Sequence, residues 1–184
     1  MIPSLATPRL TLNAFTPADG PRVEHLAGAF EIADTTLSIP HPYPAGAAVE
    51  WIAGHADAWA GQRQLCLAIR LRDSGELIGA CGYPQLQMGH QAEIGFWIGA
   101  PYWGQGYATE AAQALVDHAF ATLDLRRVHA WHLARNPASG RVQQKIGLQP
   151  EGMRRQHVVK WEKAENVVMY GLLREEWLAL RASR

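Results

Sequence analysis

Apolar and polar positions repeat with two periods along this 184-residue chain, and the points where the period changes delimit its elements. Residues 9–15 alternate polar and apolar side chains, the pattern of a half-buried strand. Thr16-Pro17-Ala18-Asp19 then predicts a helix start, with Thr16 as cap and Pro17 at the first helical position. A Pro-rich segment, 40–44, separates that helix from a second over about 45–61. Strand-like runs at Leu65–Leu71 and 76–83 flank Arg72-Asp73-Ser74-Gly75, a hairpin signal, and 90–99 predicts another strand. The period then lengthens. Ala108, Ala111, Ala112, Leu115, Val116, Ala119, Phe120 and Leu123 fall at helical spacing and define one buried face of a long helix. Further on, 127–134 reads as a strand, and 137–146 as a short helix that begins after Asn136 and stops at Gly147. Gln149–Lys160 and 166–173 read as a closing antiparallel pair, and 174–180 as a terminal helix. No repeat or low-complexity segment interrupts the series. It predicts a mixed α/β chain forming one domain over 1–184.

The junction between the strand at 90–99 and the long helix carries the first chemical signal. Ile94, Phe96, Trp97 and Ile98 run into a loop that holds Gly99, Gly104 and Gly106 and opens directly into the helix. A helix start offers unpaired N–H groups and the positive end of its dipole, and glycine lets a ligand approach the main chain closely. A phosphate-bearing ligand is therefore expected here. The spacing excludes two common phosphate loops. No Gly-Lys-Ser/Thr follows Gly106, as a P-loop requires, and Thr109 stands where a dinucleotide fingerprint has its third glycine. A G-x-G pair alone also makes an ordinary tight turn. The downstream pattern Asn136-Pro137-Ala138-Ser139, followed by Gln143-Gln144-Lys145-Ile146-Gly147-Leu148, sets this loop apart from such a turn.

Composition narrows the class further. Apolar residues make up 48% of the chain, enough for a substantial core. Seventeen basic residues balance 17 acidic ones, which speaks against a nucleic-acid-binding or membrane-binding surface. The N-terminal residues lack the pattern of a signal peptide, and no apolar run is long enough for a membrane span, so a cytoplasmic protein is expected. The two cysteines, Cys66 and Cys81, lie inside strand-like runs and read as buried free thiols. His129 and His132 are three apart on a strand, hence on opposite faces, and no set of ligands at metal spacing completes them. No metal is expected.

The ordered motifs resemble the GNAT superfamily of acetyl-coenzyme A-dependent N-acetyltransferases, in particular the branch that acetylates the N-termini of ribosomal proteins. The residues that carry the resemblance span nearly the whole chain. They are Thr7-Pro8-Arg9-Leu10-Thr11-Leu12, Ile39-Pro40-His41-Pro42-Tyr43-Pro44, and Glu93-Ile94-Gly95-Phe96-Trp97-Ile98. Tyr102-Trp103-Gly104-Gln105-Gly106-Tyr107-Ala108-Thr109-Glu110-Ala111, Asn136 with Ser139, Gly147-Leu148 before Glu151-Gly152, and 170–177 complete the set. Two positions depart from the pattern. Trp103 replaces the polar first residue of the superfamily's pyrophosphate signature, and Asn166 stands where this branch often has aspartate.

The resemblance implies a mostly antiparallel mixed sheet with helices on both faces, splayed where the coenzyme's pantetheine arm enters. It implies acetyl-CoA as cosubstrate, held by Trp103, Gly104, Gln105, Gly106, Tyr107, Ala108 and Thr109 at the diphosphate. Main-chain groups of Trp97 and Ile98, with Asn136, would hold the pantetheine. Arg141 or Lys145 would reach the adenosine phosphates, unless they form a solvated helix face. Ser139 is implied to protonate the leaving thiolate, or else it caps or packs its helix. Glu93 is implied as general base, or else it is a surface or salt-bridged carboxylate. Glu110, in the first turn of the binding helix, reads as structural. His41, Tyr43, His157 and Trp161 are implied to shape the acceptor groove, or else they play ordinary loop roles. The acceptor would be an amine, either the N-terminal amine of a ribosomal protein or a small molecule. A coenzyme A-binding sensor without turnover is the rival reading, and a monomer or a homodimer is equally open.

Overall fold

The computed structural model describes residues 1–182; of the domain expected over 1–184, residues 183 and 184 lie outside the described residues. Strands β1 (Leu5–Ala6) and β2 (Leu10–Asn13) open the chain. A 3-10 turn at Pro17–Asp19 leads into α1 (Gly20–Ala27), followed by α2 (Phe30–Thr35), α3 (Ala47–Ala53) and α4 (His55–Ala60). The middle of the chain forms β3 (Leu65–Leu71), β4 (Leu77–Gln87), β5 (Gln91–Ile98) and α5 (Tyr107–Ala121). Then come β6 (Arg127–Leu133), α6 (Pro137–Lys145), β7 (Gln149–Lys160), β8 (Lys163–Leu173) and α7 (Arg174–Ala182).

The strands form one eight-stranded sheet in the order β1-β2-β3-β4-β5-β6-β8-β7. Every neighbouring pair is antiparallel except β5 with β6. Apolar side chains gather on both faces. Leu12, Leu67, Ile94, Val128 and the buried stripe of α5 form one core; α1 and α3 cover Ala68, Leu77 and Ala80 on the other face. Leu115, Val116 and Phe120 are fully buried, and each such side chain contributes about 1.5–3 kcal/mol relative to exposure. α5 is rich in alanine, the best helix former; it ends at Ala121, and Asp124, three residues on, takes a left-handed φ of 55°.

Three sequence expectations change. The helix expected over 45–61 is broken at Gly54 into α3 and α4, in line with glycine's poor helix propensity. The broken segment packs Trp51 edge-on against His55 and Phe15. α2 gave no sequence signal because it is only six residues long; Thr35 and Thr36 hydroxyls bond back to the Glu31 and Ile32 carbonyls at its end. β4 continues past Tyr83 to Gln87 by slipping register between Gly82 and Gln85. Pro84 sits inside this bulge, where its missing N–H removes no ladder bond.

None of the described helices is long and apolar enough to cross a membrane.

Candidate active site

The parallel strands β5 and β6 pair only at Gln91 with Arg127, Ala92 with Val128, and Glu93 with His129. Beyond Glu93 they part, leaving a wedge-shaped gap down to Ile98 and Leu133. The hydrogen-bond pattern shows which main-chain groups face it. Gly99 N–H donates to the Ile78 carbonyl at 2.8 Å, so by strand alternation Trp97 and Gly95 also face β4. Ile94, Phe96 and Ile98 therefore face the gap. From the other side, bonds from Arg174 N–H to the Arg126 carbonyl and from Ala134 N–H to the Asn166 carbonyl turn even-numbered residues of β6 toward β8. Trp131 and Leu133 are left facing the gap. The main chain of Trp97, expected to hold the pantetheine, thus pairs with β4, its carbonyl lying against Gly79, whereas the main chains of Phe96 and Ile98 face the gap.

The glycine loop closes the wide end of the gap. Gly104 and Gly106 take left-handed φ angles of 75° and 83°, a conformation that costs other L-residues about 1–2 kcal/mol. Gly106 caps α5, and Glu110 N–H makes the helix's first bond to the Gly106 carbonyl at 3.1 Å. The N–H groups of Tyr107, Ala108 and Thr109 precede that first bond and point out of the helix end. Trp103 does not replace the expected polar contact; its indole N–H instead donates to the Ile98 carbonyl at 2.5 Å and braces the loop on β5.

Arg9 stands in the sequence only as part of a motif, yet its guanidinium reaches this loop. Its Nη1 donates to the Gln105 carbonyl at 2.9 Å, and its guanidinium lies 4.6 Å from the centre of the Tyr107 ring. Glu110 holds it there. That carboxylate accepts from Thr7 Oγ1 at 2.6 Å, from Arg9 N–H at 2.8 Å and from Arg9 Nε at 2.7 Å. Burial alone would raise the Glu110 carboxyl, but these bonds outweigh it and hold it below the usual carboxylate range. Its role is structural, tying the N-terminal strands to α5.

On the β6 side, Asn136 caps α6 by accepting from Ser139 N–H at 3.4 Å, and its amide reaches the Thr35 carbonyl at 3.5 Å. Ser139 is half-buried, and its Oγ accepts from Gln143 Nε2 at 3.4 Å. Gln143 is itself buried, and its Oε1 has no partner among the described residues. Sequence reading named Gln143 only as part of a motif; its place one turn after Ser139 was the available signal. Lys145 and Arg141 are exposed on α6.

Glu93 sits at the fork where the two strands part. Its side chain points to the sheet face opposite α5 and accepts from Trp131 Nε1 at 3.1 Å. Burial raises its carboxyl above the usual range, and the Trp131 bond opposes this only in part. It lines an open cavity of about 530 Å³ with Trp131, His129, Arg127, Arg154 and His157. Burial holds the His129 imidazole below its usual range, and the nearby Arg127 and Arg154 charges act in the same direction. His132, as expected from the strand period, lies on the other face, buried with Nδ1 2.9 Å from the Leu133 carbonyl.

The expected acceptor residues divide into two places. His157 lines the cavity with Glu93. His41 does not: its Nδ1 lies 3.0 Å from the Gly28 carbonyl, and its ring meets Phe30 edge-on, while Trp161 stacks on Phe30 as well. Lys160 spans this cluster, donating to the Leu37 and Ile39 carbonyls. Tyr43 packs with α1 and α3, where burial raises its hydroxyl's pKa. Asn166 accepts from Gln156 N–H at 2.8 Å and so fixes a bulge in β7 beside the cavity.

Neither cysteine is a candidate nucleophile. Both are free, burial pushes the Cys66 thiol up to about 12, and Cys81 is also raised by burial. Among the described residues no group of three or more His, Cys, Asp or Glu stands close enough to hold a metal ion.

Comparison with known proteins agrees with this geometry. The sequence profile of the acetyltransferase (GNAT) domain matches residues 9–149. The uncharacterized N-acetyltransferase YoaA of Bacillus subtilis is 32% identical over 161 residues, 86% of this chain and 89% of that protein. The uncharacterized N-acetyltransferase p20 of Bacillus licheniformis is 33% identical over 111 residues, 60% of this chain; the match spans only 62% of p20, under two thirds of its length. Among solved structures, RimL, a ribosomal L7/L12 alpha-N-protein acetyltransferase crystallised with coenzyme A, superposes with a TM-score of 0.84. At 19% identity, over 93% of this chain and 98% of that one, it shares the fold. A sheet parted beside a glycine-loop helix start, and a profile match over most of the chain, lead to one assignment: the chain belongs to the GNAT family of acetyl-coenzyme A-dependent N-acetyltransferases.

Proposed function

We propose that this enzyme moves an acetyl group from acetyl-CoA directly to a primary amine, both bound at once. The observation that carries the reading is the parting of β5 and β6 directly beyond Glu93, with the α5 N-terminus at the open end and Asn136 and Ser139 on the flank. The diphosphate rests on the N–H groups of residues 104–109, including Tyr107, Ala108 and Thr109. Each such contact contributes about 0.3–1 kcal/mol at an exposed helix end. Lys145 reaches toward the adenosine phosphates. The pantetheine amides pair with the gap-facing main-chain groups of Phe96 and with the Ile98 N–H, as an added strand would, the Ile98 carbonyl being held by the Trp103 indole.

The acceptor enters from the Glu93 cavity on the opposite face of the sheet. Glu93 takes a proton from the ammonium form, and the freed nitrogen lone pair attacks the thioester carbonyl. Negative charge gathers on the carbonyl oxygen, which faces the gap-lining N–H groups of β5. Glu93 passes its proton to solvent. As the C–S bond breaks, the nitrogen, now bonded to the acetyl carbon, gives up its second proton to solvent. The thiolate takes the Ser139 hydroxyl proton, and solvent restores the serine. A carboxyl raised by burial is a better base than an exposed one, and such a base contributes about 10²–10⁴-fold.

The acceptor we favour is the N-terminal amine of a polypeptide, such as a ribosomal protein. The openness of the cavity supports it, and so does the fold shared with RimL. His157 belongs to this acceptor site, whereas His41 and Tyr43 flank it at a distance. The direct test is thiol release from acetyl-CoA with a panel of peptide N-termini and small amines. Release with peptides supports the reading, release with small amines alone replaces the acceptor class, and binding of acetyl-CoA without release for any acceptor removes the transferase reading.

A further inference from the structure

The charges lining the Glu93 cavity are unequal in their commitments. Arg127 grips Glu151 through both terminal nitrogens, at 2.6 and 2.5 Å, so these two charges cancel. Glu93 faces the fork. Arg154 has no carboxylate partner among the described residues; its Nη1 lies 3.3 Å from His157 Nε2 and it is otherwise exposed.

The backbone is shaped to present these two residues. β7 loses register with β8 between Arg154 and Val158, and Gln156 within that bulge takes a left-handed φ of 47°. The bulge is pinned by the Asn166 side chain, a neutral acceptor that adds no negative charge beside Arg154. Bulges re-aim side chains where a regular strand would alternate them away. Here both Arg154 and His157 line the same cavity as Glu93. Burial, with the Arg127 and Arg154 charges, disfavours the charged form of His129, the fourth side chain here.

We propose that the acceptor is an amine that also carries a carboxylate, which Arg154 receives with His157 beside it while Glu93 faces the amine. The inference rests on the reading of this cavity as the acceptor site. A cavity of about 530 Å³ has room for both ends. A guanidinium without a partner suits a carboxylate because it can donate two parallel hydrogen bonds. The carboxylate has two sources, the α-carboxylate of a free amino acid or an acidic side chain next to a peptide N-terminus.

The test measures initial rates of thiol release from acetyl-CoA with matched acceptors. Tyrosine against tyramine examines the first source, and a peptide amide beginning Ala-Glu against one beginning Ala-Gln examines the second. The wild type is expected to favour the carboxylate-bearing member of at least one pair about tenfold in kcat/KM. Arg154→Gln should abolish that preference, Arg154→Lys should keep part of it, and Arg154→Glu should invert it toward the uncharged member, all with the KM for acetyl-CoA unchanged. Equal kcat/KM within both pairs for the wild type, or a preference that survives Arg154→Glu, overturns the inference while transfer itself stands. No release with any acceptor overturns the transferase reading and this inference with it.

Discussion

Replacing Glu110 by glutamine removes the charge that ties the N-terminal strands to α5 without removing the side chain's volume. In the wild type one carboxylate oxygen accepts from Thr7 Oγ1 and Arg9 N–H, and the other accepts from Arg9 Nε. Glutamine keeps the first oxygen but turns an NH₂ group toward the Arg9 donor. The Arg9 side chain is 48% exposed, so water can serve the abandoned guanidinium and holds that loss to the lower end for a charge-assisted bond. With weaker acceptance on the other two bonds, the total is about 2 kcal/mol. For a chain of this size that lowers Tm by about 4–8 °C. The pH dependence is a sharper check than the magnitude. Glu110 is held below its ordinary 4.5, so its stabilisation is complete above that pKa and is lost as pH falls through the lowered folded value. Thermal unfolding of both proteins from pH 7 downward should therefore show a full gap at neutral pH that begins to close only once pH falls below the ordinary carboxyl value of 4.5. A gap that stays constant across this range, or no gap at pH 7, would refute the reasoning.

Three further outcomes follow from the site. Glu93→Gln should lower kcat by about 10²–10⁴-fold; the wild-type rate should climb as pH rises through a carboxyl pKa above the ordinary 4.5, a limb absent from the variant's pH profile. Ser139→Ala should cut kcat by roughly tenfold or more while acetyl-CoA affinity, measured by calorimetry, stays as it was; a wild-type rate rejects the acid role. Gly106→Ala should cost about 1–2 kcal/mol of stability, because its φ is 83°, and should also weaken acetyl-CoA binding by distorting the N–H cradle. Lost stability with unchanged affinity would detach the loop from the diphosphate.

The parts of this fold that are legible in the sequence are those in which each residue's own pattern decides. The α5 stripe from Ala111 to Phe120 is buried as its spacing predicts, and the Arg72-Asp73-Ser74-Gly75 turn joins β3 to β4. Asn136 caps the helix that begins at Pro137. Local pattern gave no guidance where a long-range contact decides. Nothing in 7–10 announces that Arg9 is held by a carboxylate 101 residues away. Trp97 and Phe96 are neighbours in one apolar run, and only the register with β4 fixes whose main chain faces the gap. His41 and His157 looked alike as groove residues, yet one packs on Phe30 and the other on the Glu93 cavity, because the β7 bulge and α2 place them. Asn166 is a bare departure from the family pattern in the sequence, and only the fold brings the Gln156 N–H onto it.

The account depends most on the coenzyme's arm lying between β5 and β6, and residue-resolved amide exchange with and without acetyl-CoA tests this directly. Acetyl-CoA should slow exchange at the gap-facing amides of Phe96 and Ile98 and at Tyr107, Ala108 and Thr109. Trp97, already bonded within the sheet, should change little. Slowed exchange confined to other segments, with Phe96, Ile98 and the α5 N-terminus unaffected at saturating acetyl-CoA, would contradict it.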